Sequence, residues 1–178
     1  HPGIARAHDF GYIGARPYFT SDFIPGEPLS HLPPPPPARA LALALDVAEA
    51  LAFLHGRRIL HLDVKPSNIV LPPGEASRPV LIDFGLFRRG ADAAPARVRG
   101  SVPFMAPEVF EGGAPGPPAD VYAFGAAFYR VLTGEYPRLP ARGARVTGVA
   151  AAWDPLPRPL REVRPDLPAD IDGIVARC

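Results

Sequence analysis

The stretch ILHLDVKPSNIVL (Ile59–Leu71) sets Asp63, Lys65 and Asn68 close together between two aliphatic runs. A chain that buries these aliphatics buries the polar side chains with them, which costs free energy unless each finds a partner. Any fold must therefore gather the three groups where they satisfy one another or a ligand. As a set they offer a carboxylate for an attacking hydroxyl, a cation for a phosphate and an amide oxygen for a metal. Phosphoryl transfer needs these parts.

A second carboxylate follows in LIDFGLF (Leu81–Phe87), where Asp83 sits on an aliphatic run that enters a glycine turn. Alone, Asp-Phe-Gly is an ordinary strand end. One hairpin after the first segment, it becomes a second oxygen ligand facing the first. Mg²⁺ prefers oxygen ligands and keeps several waters, so a carboxylate and an amide oxygen suffice beside nucleotide phosphates.

The surrounding pattern predicts an α+β fold, mostly helical. RPYFTSDFI (Arg16–Ile24) reads as a strand closed by a turn, with an earlier short strand near Ile4–Phe10. HLPPPPPA (His31–Ala38) can be neither helix nor central strand, because proline has no N–H. It reads as a stiff connector, with a ligand for a proline-recognition domain as the alternative. Its last proline suits the first position of a helix over about Ala38–His55, apolar on nearly all faces and so expected to be central and buried. Ile69–Leu71 and Val80–Ile82 form a small hairpin, and Ala119–Gly134 a second apolar helix ended by Thr-Gly. A short helix is expected near Val146–Trp153, and another begins in PADIDGIVARC.

Composition narrows the class. Apolar residues at 47% and charged residues at 21% are ordinary for a soluble domain, despite 26 prolines and 17 glycines, which mark it as loop-rich. A net charge of +1 gives no electrostatic case for nucleic acid or an anionic membrane. The single cysteine, Cys178, excludes an internal disulfide framework and fits a reducing, cytoplasmic setting. The most apolar run, Ala40–His55, is too short to span a bilayer and carries Asp46 and Glu49. Position 1 is His, so the chain is expected to be a piece of a longer or processed product.

HLDVKPSN, DFG, GSVPFMAPE and DVYAFG occur here in the order and spacing of a eukaryotic-type protein kinase catalytic domain, and the chain resembles the bacterial serine/threonine branch over nearly all its length. The resemblance implies ATP and Mg²⁺ as cofactors and a protein with a Ser or Thr acceptor as partner. It implies Asp63 as catalytic base, Lys65 as the phosphate-stabilising lysine, Asn68 and Asp83 as Mg²⁺ ligands, and Ser101 as the hydroxyl that orients Asp63 and Lys65. Val70 and Ile82 would lie near adenine and phosphates. TSDFI would be the hinge, with the backbone of Asp22 and Ile24 on adenine and Ser21 as a small gatekeeper. His61 is expected as a packed core residue, and Asp120 as a tie between the second helix and the catalytic-loop backbone. His55 shows no metal spacing and is given no role.

On this reading residues 1–30 are the end of a small lobe and its hinge, and 31–178 a large lobe truncated at its C-terminal helices. The glycine-rich loop, the strand lysine and its glutamate partner are absent from the sequence, so the chain alone is expected to bind ATP poorly and turn over none. Glu108 of APE is expected to be a buried carboxylate whose arginine partner lies beyond Cys178. Leu62 stands before Asp63 where regulated kinases carry Arg, which puts in doubt control by phosphate rather than chemistry. Two rivals differ in class: a scaffolding pseudokinase, opposed by the intact Asp63, Lys65, Asn68 and Asp83, and a small-molecule phosphotransferase. MAPEVF followed by DVYAFG, the peptide-substrate platform by resemblance, favours a protein substrate over the latter.

Overall fold

The computed structural model describes residues 1–74, 76–83, 88–89, 101–137 and 157–178. The short helix expected near Val146–Trp153, and Phe84 and Gly85 of the DFG turn, lie outside the described residues. The architecture is α+β, with short antiparallel ladders set against helices.

Strands β1 (Ala7–Ile13) and β2 (Arg16–Ser21) form a hairpin whose tight turn uses Gly14 at φ 62°, open to glycine without a Cβ penalty. The earlier strand starts later than expected: Ile4 makes only an isolated parallel bridge to Leu81. The later one stops at Ser21 rather than Ile24, shortly before Pro25, which lacks the N–H a longer ladder would use.

The expected hairpin of β5 (Ile69–Leu71) and β6 (Val80–Leu81) gains a third strand, β3 (Glu27–Pro28), on the outer side of β5. A proline is tolerated there because an edge strand has one unpaired side. A separate ladder joins β4 (Ile59–Leu60) to β7 (Arg88–Arg89).

Helix α1 (Pro37–His55) begins with proline at its first position, as expected. It is not buried all round. Ala40, Leu43, Val47, Ala50, Leu51 and Leu54 form one buried stripe, while Leu41 and Leu45 are exposed on the other side. The central helix is α3 (Pro117–Thr133): Phe128 and Val131 join Leu43, Val47, Leu54, Ile69 and Leu81 in one core, while Tyr129 and Leu132 join Leu160, Leu167 and Ile171 in another. Small residues let neighbours approach this helix, and a Cβ on Gly125 would fall 2.4 Å from the Cβ of Cys178. Gly134 ends it in the left-handed conformation at φ 75°, its N–H bonded to Arg130 O.

The second core includes two short helices, α4 (Leu160–Val163) and α5 (Ala169–Val175), the latter in the expected PADIDGIVARC segment. Arg164 donates to Leu132 O at 2.9 Å and to Pro35 O at 3.5 Å, tying the proline tract to the end of α3. That anchoring suits a connector.

Candidate active site

The site is built on the backbone between β4 and β5. Asp120, in the first turn of α3, is fully buried. Its Oδ2 accepts the N–H of His61 at 2.9 Å and its Oδ1 that of Leu62 at 2.8 Å. The expected tie between α3 and the loop is thus present. A carboxylate here also meets the positive end of the helix dipole. Leu62 sits at φ 61°, a left-handed conformation that costs a branched residue about 1–2 kcal/mol. The two bonds from Asp120 hold that turn in place and so set the direction of Asp63.

Sequence reasoning missed a third partner. Nε2 of His55, the last residue of α1, lies 2.9 Å from Asp120 Oδ2. Asp120 therefore joins both long helices to the loop. A helix-ending histidine carries no local sign of a partner 65 positions away.

Four of the expected residues come together. Lys65 Nζ lies 2.6 Å from Asp63 Oδ2 and donates to Ser101 Oγ at 3.0 Å. Asn68, at the end of a 3₁₀ turn (Pro66–Asn68), donates its Nδ2 to Asp63 O at 2.9 Å and Asp63 Oδ2 at 3.0 Å. Both partners can only accept, which forces the amide nitrogen toward them and turns Asn68 Oδ1 away. Asp63 Oδ2 is thus doubly held, whereas Asp63 Oδ1 makes no hydrogen bond among the described residues.

Asp83 is carried to the same neighbourhood by backbone. The N–H of Ile82 donates to Asn68 O at 2.9 Å, and His61 Nε2 donates to Ile82 O at 3.2 Å. Asp83 itself takes a left-handed conformation at φ 65°.

His61 is a packed core residue, as expected. Its Nδ1 accepts the Asp63 N–H at 3.3 Å while Nε2 donates, so the ring is a neutral imidazole bridging the Asp63 loop and the approach to Asp83. Burial holds its pKa below the usual 6.5 against the opposing pull of Asp120. An unfolded chain takes up a proton at its ordinary value that the folded chain refuses. Stability from this group is full above 6.5 and is lost as pH falls from there toward the lower folded value. Urea midpoints measured at about pH 7.5 and about pH 5.5 should fall more for the parent than for His61→Asn. Equal falls in the two proteins would show that His61 is not linked to folding.

The remaining expected residues lie further out. Val70 is buried in β5 between Pro28 and Val80. Asp22 and Ile24 border a cavity of about 500 Å³ that Val80 lines and Val70 does not. The Asp22 N–H is already bonded to Arg6 O at 2.9 Å, which leaves its carbonyl available. Ser21 is exposed at the end of β2.

The expectation for Glu108 fails. It is exposed on the single-turn helix α2 (Pro107–Phe110), whose buried residue is Phe110. As a solvated carboxylate it pays no desolvation cost in this chain.

The protein kinase domain model matches residues 1–148. Over 188 residues the chain is 32% identical to serine/threonine-protein kinase PknA of Mycobacterium tuberculosis, covering 98% of this chain and 42% of that protein. Serine/threonine-protein kinase PknB of the same species is 32% identical over 190 residues, covering 99% of this chain and 30% of that protein. The chain thus spans less than half the length of either relative. Family match, relatives and the Asp63–Lys65–Asn68–Ser101 cluster agree: this chain belongs to the protein kinase domain family.

Proposed function

We propose that this chain carries the catalytic part of a protein serine/threonine kinase, transferring the γ-phosphoryl group of ATP to a Ser or Thr hydroxyl of a protein. The observation that carries the reading is Asp63. One carboxylate oxygen is fixed by Lys65 and Asn68, and the other, which makes no hydrogen bond among the described residues, can take a hydroxyl donor. A base must lie within hydrogen-bond reach of the proton it takes, and a doubly anchored carboxylate is aimed before substrate arrives.

Lys65, held by Ser101, neutralises charge on the transferring phosphoryl, because a fixed ammonium is worth more in a partly buried site than in water. Asn68 Oδ1 and the Asp83 carboxylate are the oxygen donors that would hold Mg²⁺. The donor set fits a hard cation: the Asn68 amide is oriented oxygen-outward by Asp63, and the Ile82–Asn68 backbone bond keeps Asp83 alongside. Bound there, Mg²⁺ would screen the nucleotide phosphates. Such a cation would keep much of its shell as substrate phosphates and water.

The Asp22 carbonyl and the Ile24 backbone supply a polar edge for adenine in the cavity that Val80 lines, with Val70 buried behind it in β5 next to Val80. Residues 1–30 then form the end of the small lobe and the hinge, and 31–178 belong to the large lobe. Among the described residues no helix is long and apolar enough to cross a membrane.

The gene product incubated with Mg²⁺, ATP and peptides bearing Ser, Thr or Tyr should yield acid-stable phosphoserine or phosphothreonine. Transfer to a small aminoglycoside but to no peptide, or nucleotide binding without transfer to any acceptor, would overturn the reading.

Control by phosphate on the activation segment is not expected. Leu62 offers neither charge nor hydrogen bond to a dianion, and it lies beside Phe104, Met105 and Ala123 around a small gap. Between Asp83 and Glu108 the only hydroxyl side chain is Ser101, which Lys65 engages. Phosphatase treatment should leave activity within about twofold, since no charge-assisted contact is lost. A large loss that tracks phosphate on Ser101 would contradict this.

A further inference from the structure

Beyond the Asp63 cluster, the segment that follows Ser101 leads to a stack of three side chains. Phe104 ends a 3₁₀ turn (Val102–Phe104), and its ring centroid lies 5.7 Å from that of Tyr136, at 57°. The guanidinium of Arg130, in the last turn of α3, lies over the Tyr136 ring at 4.8 Å from its centroid. Tyr136 remains 45% exposed and Arg130 is half-buried. Three residues of chain span at most about 10 Å, so the stack is close to the Ser101–Lys65–Asp63 contacts.

A guanidinium carries five N–H donors, yet among the described residues Arg130 has no carboxylate partner. The nearest acid in sequence, Glu135, is engaged by Arg158 at 2.5 Å. Stacking on an aromatic face holds a guanidinium in one orientation without using its N–H edge, which stays available to an anion.

We propose that Arg130, seated on the Tyr136 ring that Phe104 also contacts, is a specificity residue that selects protein substrates with an acidic side chain near the acceptor Ser or Thr. The inference rests on the kinase reading above. A substrate hydroxyl at Asp63 would carry the adjoining residues of its own chain past Ser101 toward Phe104 and the Arg130–Tyr136 pair. A carboxylate there forms a charge-assisted pair, whereas a lysine or arginine meets a like charge.

The test uses the gene product and peptides of alanine and glycine with one serine, in which a single Glu or Lys is placed in turn at each flanking position. At one or two positions Glu should lower KM about five- to tenfold against the uncharged peptide, with kcat little changed and the advantage shrinking in high salt. Arg130→Gln should bring that ratio near one, and Arg130→Glu should invert it in favour of Lys. Where Arg130→Glu does not fold, Arg130→Gln carries the comparison. A ratio near one at every position in the parent, or a ratio unchanged in both variants, overturns the inference while leaving the kinase reading intact. If no peptide is phosphorylated, the kinase reading fails first, and fluorescence anisotropy of the same labelled peptides decides. Tighter binding of a Glu peptide that Arg130→Gln removes supports the acidic site, and equal binding of all peptides overturns it.

Discussion

Asp63→Asn should lower the rate of phosphoryl transfer by about 10²–10⁴-fold while leaving Mg·ATP affinity near that of the parent. The substitution keeps the shape of the side chain and the contacts of one oxygen, but removes the charge that accepts the acceptor proton. Lys65 then loses the carboxylate it contacts at 2.6 Å, so part of the loss reflects a less well-placed ammonium. Asp83→Asn should also abolish transfer, by another route: an amide is a weak ligand for a hard cation, so nucleotide affinity should lose most of its dependence on Mg²⁺. ATP titrations with and without Mg²⁺ separate the two. Identical nucleotide binding in both variants would contradict the division of roles.

The largest effect on stability is expected at Asp120. Asp120→Ala leaves the buried N–H groups of His61 and Leu62 without their acceptor and strands the ring of His55. Removing one member of such a buried, charge-assisted set costs about 3–5 kcal/mol, a large share of the roughly 5–15 kcal/mol that keeps a domain folded. The left-handed turn at Leu62 loses its restraint as well, so any folded variant should also be inactive. Asp120→Asn keeps one acceptor but turns an NH₂ toward other donors, and should fall between. Urea denaturation followed by circular dichroism gives the order parent, Asp120→Asn, Asp120→Ala. A midpoint for Asp120→Ala close to that of the parent would mean the loop is held by something else.

The catalytic cluster is legible in the sequence because its parts are local. Asp63, Lys65 and Asn68 share one short segment, and aliphatic walls fix that segment in the core. Asp83 is legible because one hairpin returns it to the same place, through the Ile69↔Leu81 and Val70↔Val80 pairs. Contacts set by distant packing are not legible. His55 ends an ordinary helix, and only the docking of α1 on α3 brings it to Asp120. The stack of Arg130, Tyr136 and Phe104 likewise joins residues whose local patterns carry no mutual signal.

Hydrophobic content also misranks the two long helices. Both read as apolar, but α1 is packed on one side only, whereas small residues of α3 admit neighbours on opposite faces. Burial of Glu108 was expected from resemblance alone, whereas the buried residue of that single-turn helix is Phe110.

The central claim is that Asp63 is a pre-aimed carboxylate serving an incoming Ser or Thr hydroxyl. Single-turnover transfer of labelled γ-phosphate from Mg·ATP to a serine peptide, by the gene product and by Asp63→Asn side by side, tests it most directly. The parent should form acid-stable phosphoserine in step with ADP. The variant should bind the same nucleotide with similar affinity and form phosphoserine at least about 100-fold more slowly. Equal rates from the two proteins would contradict the claim.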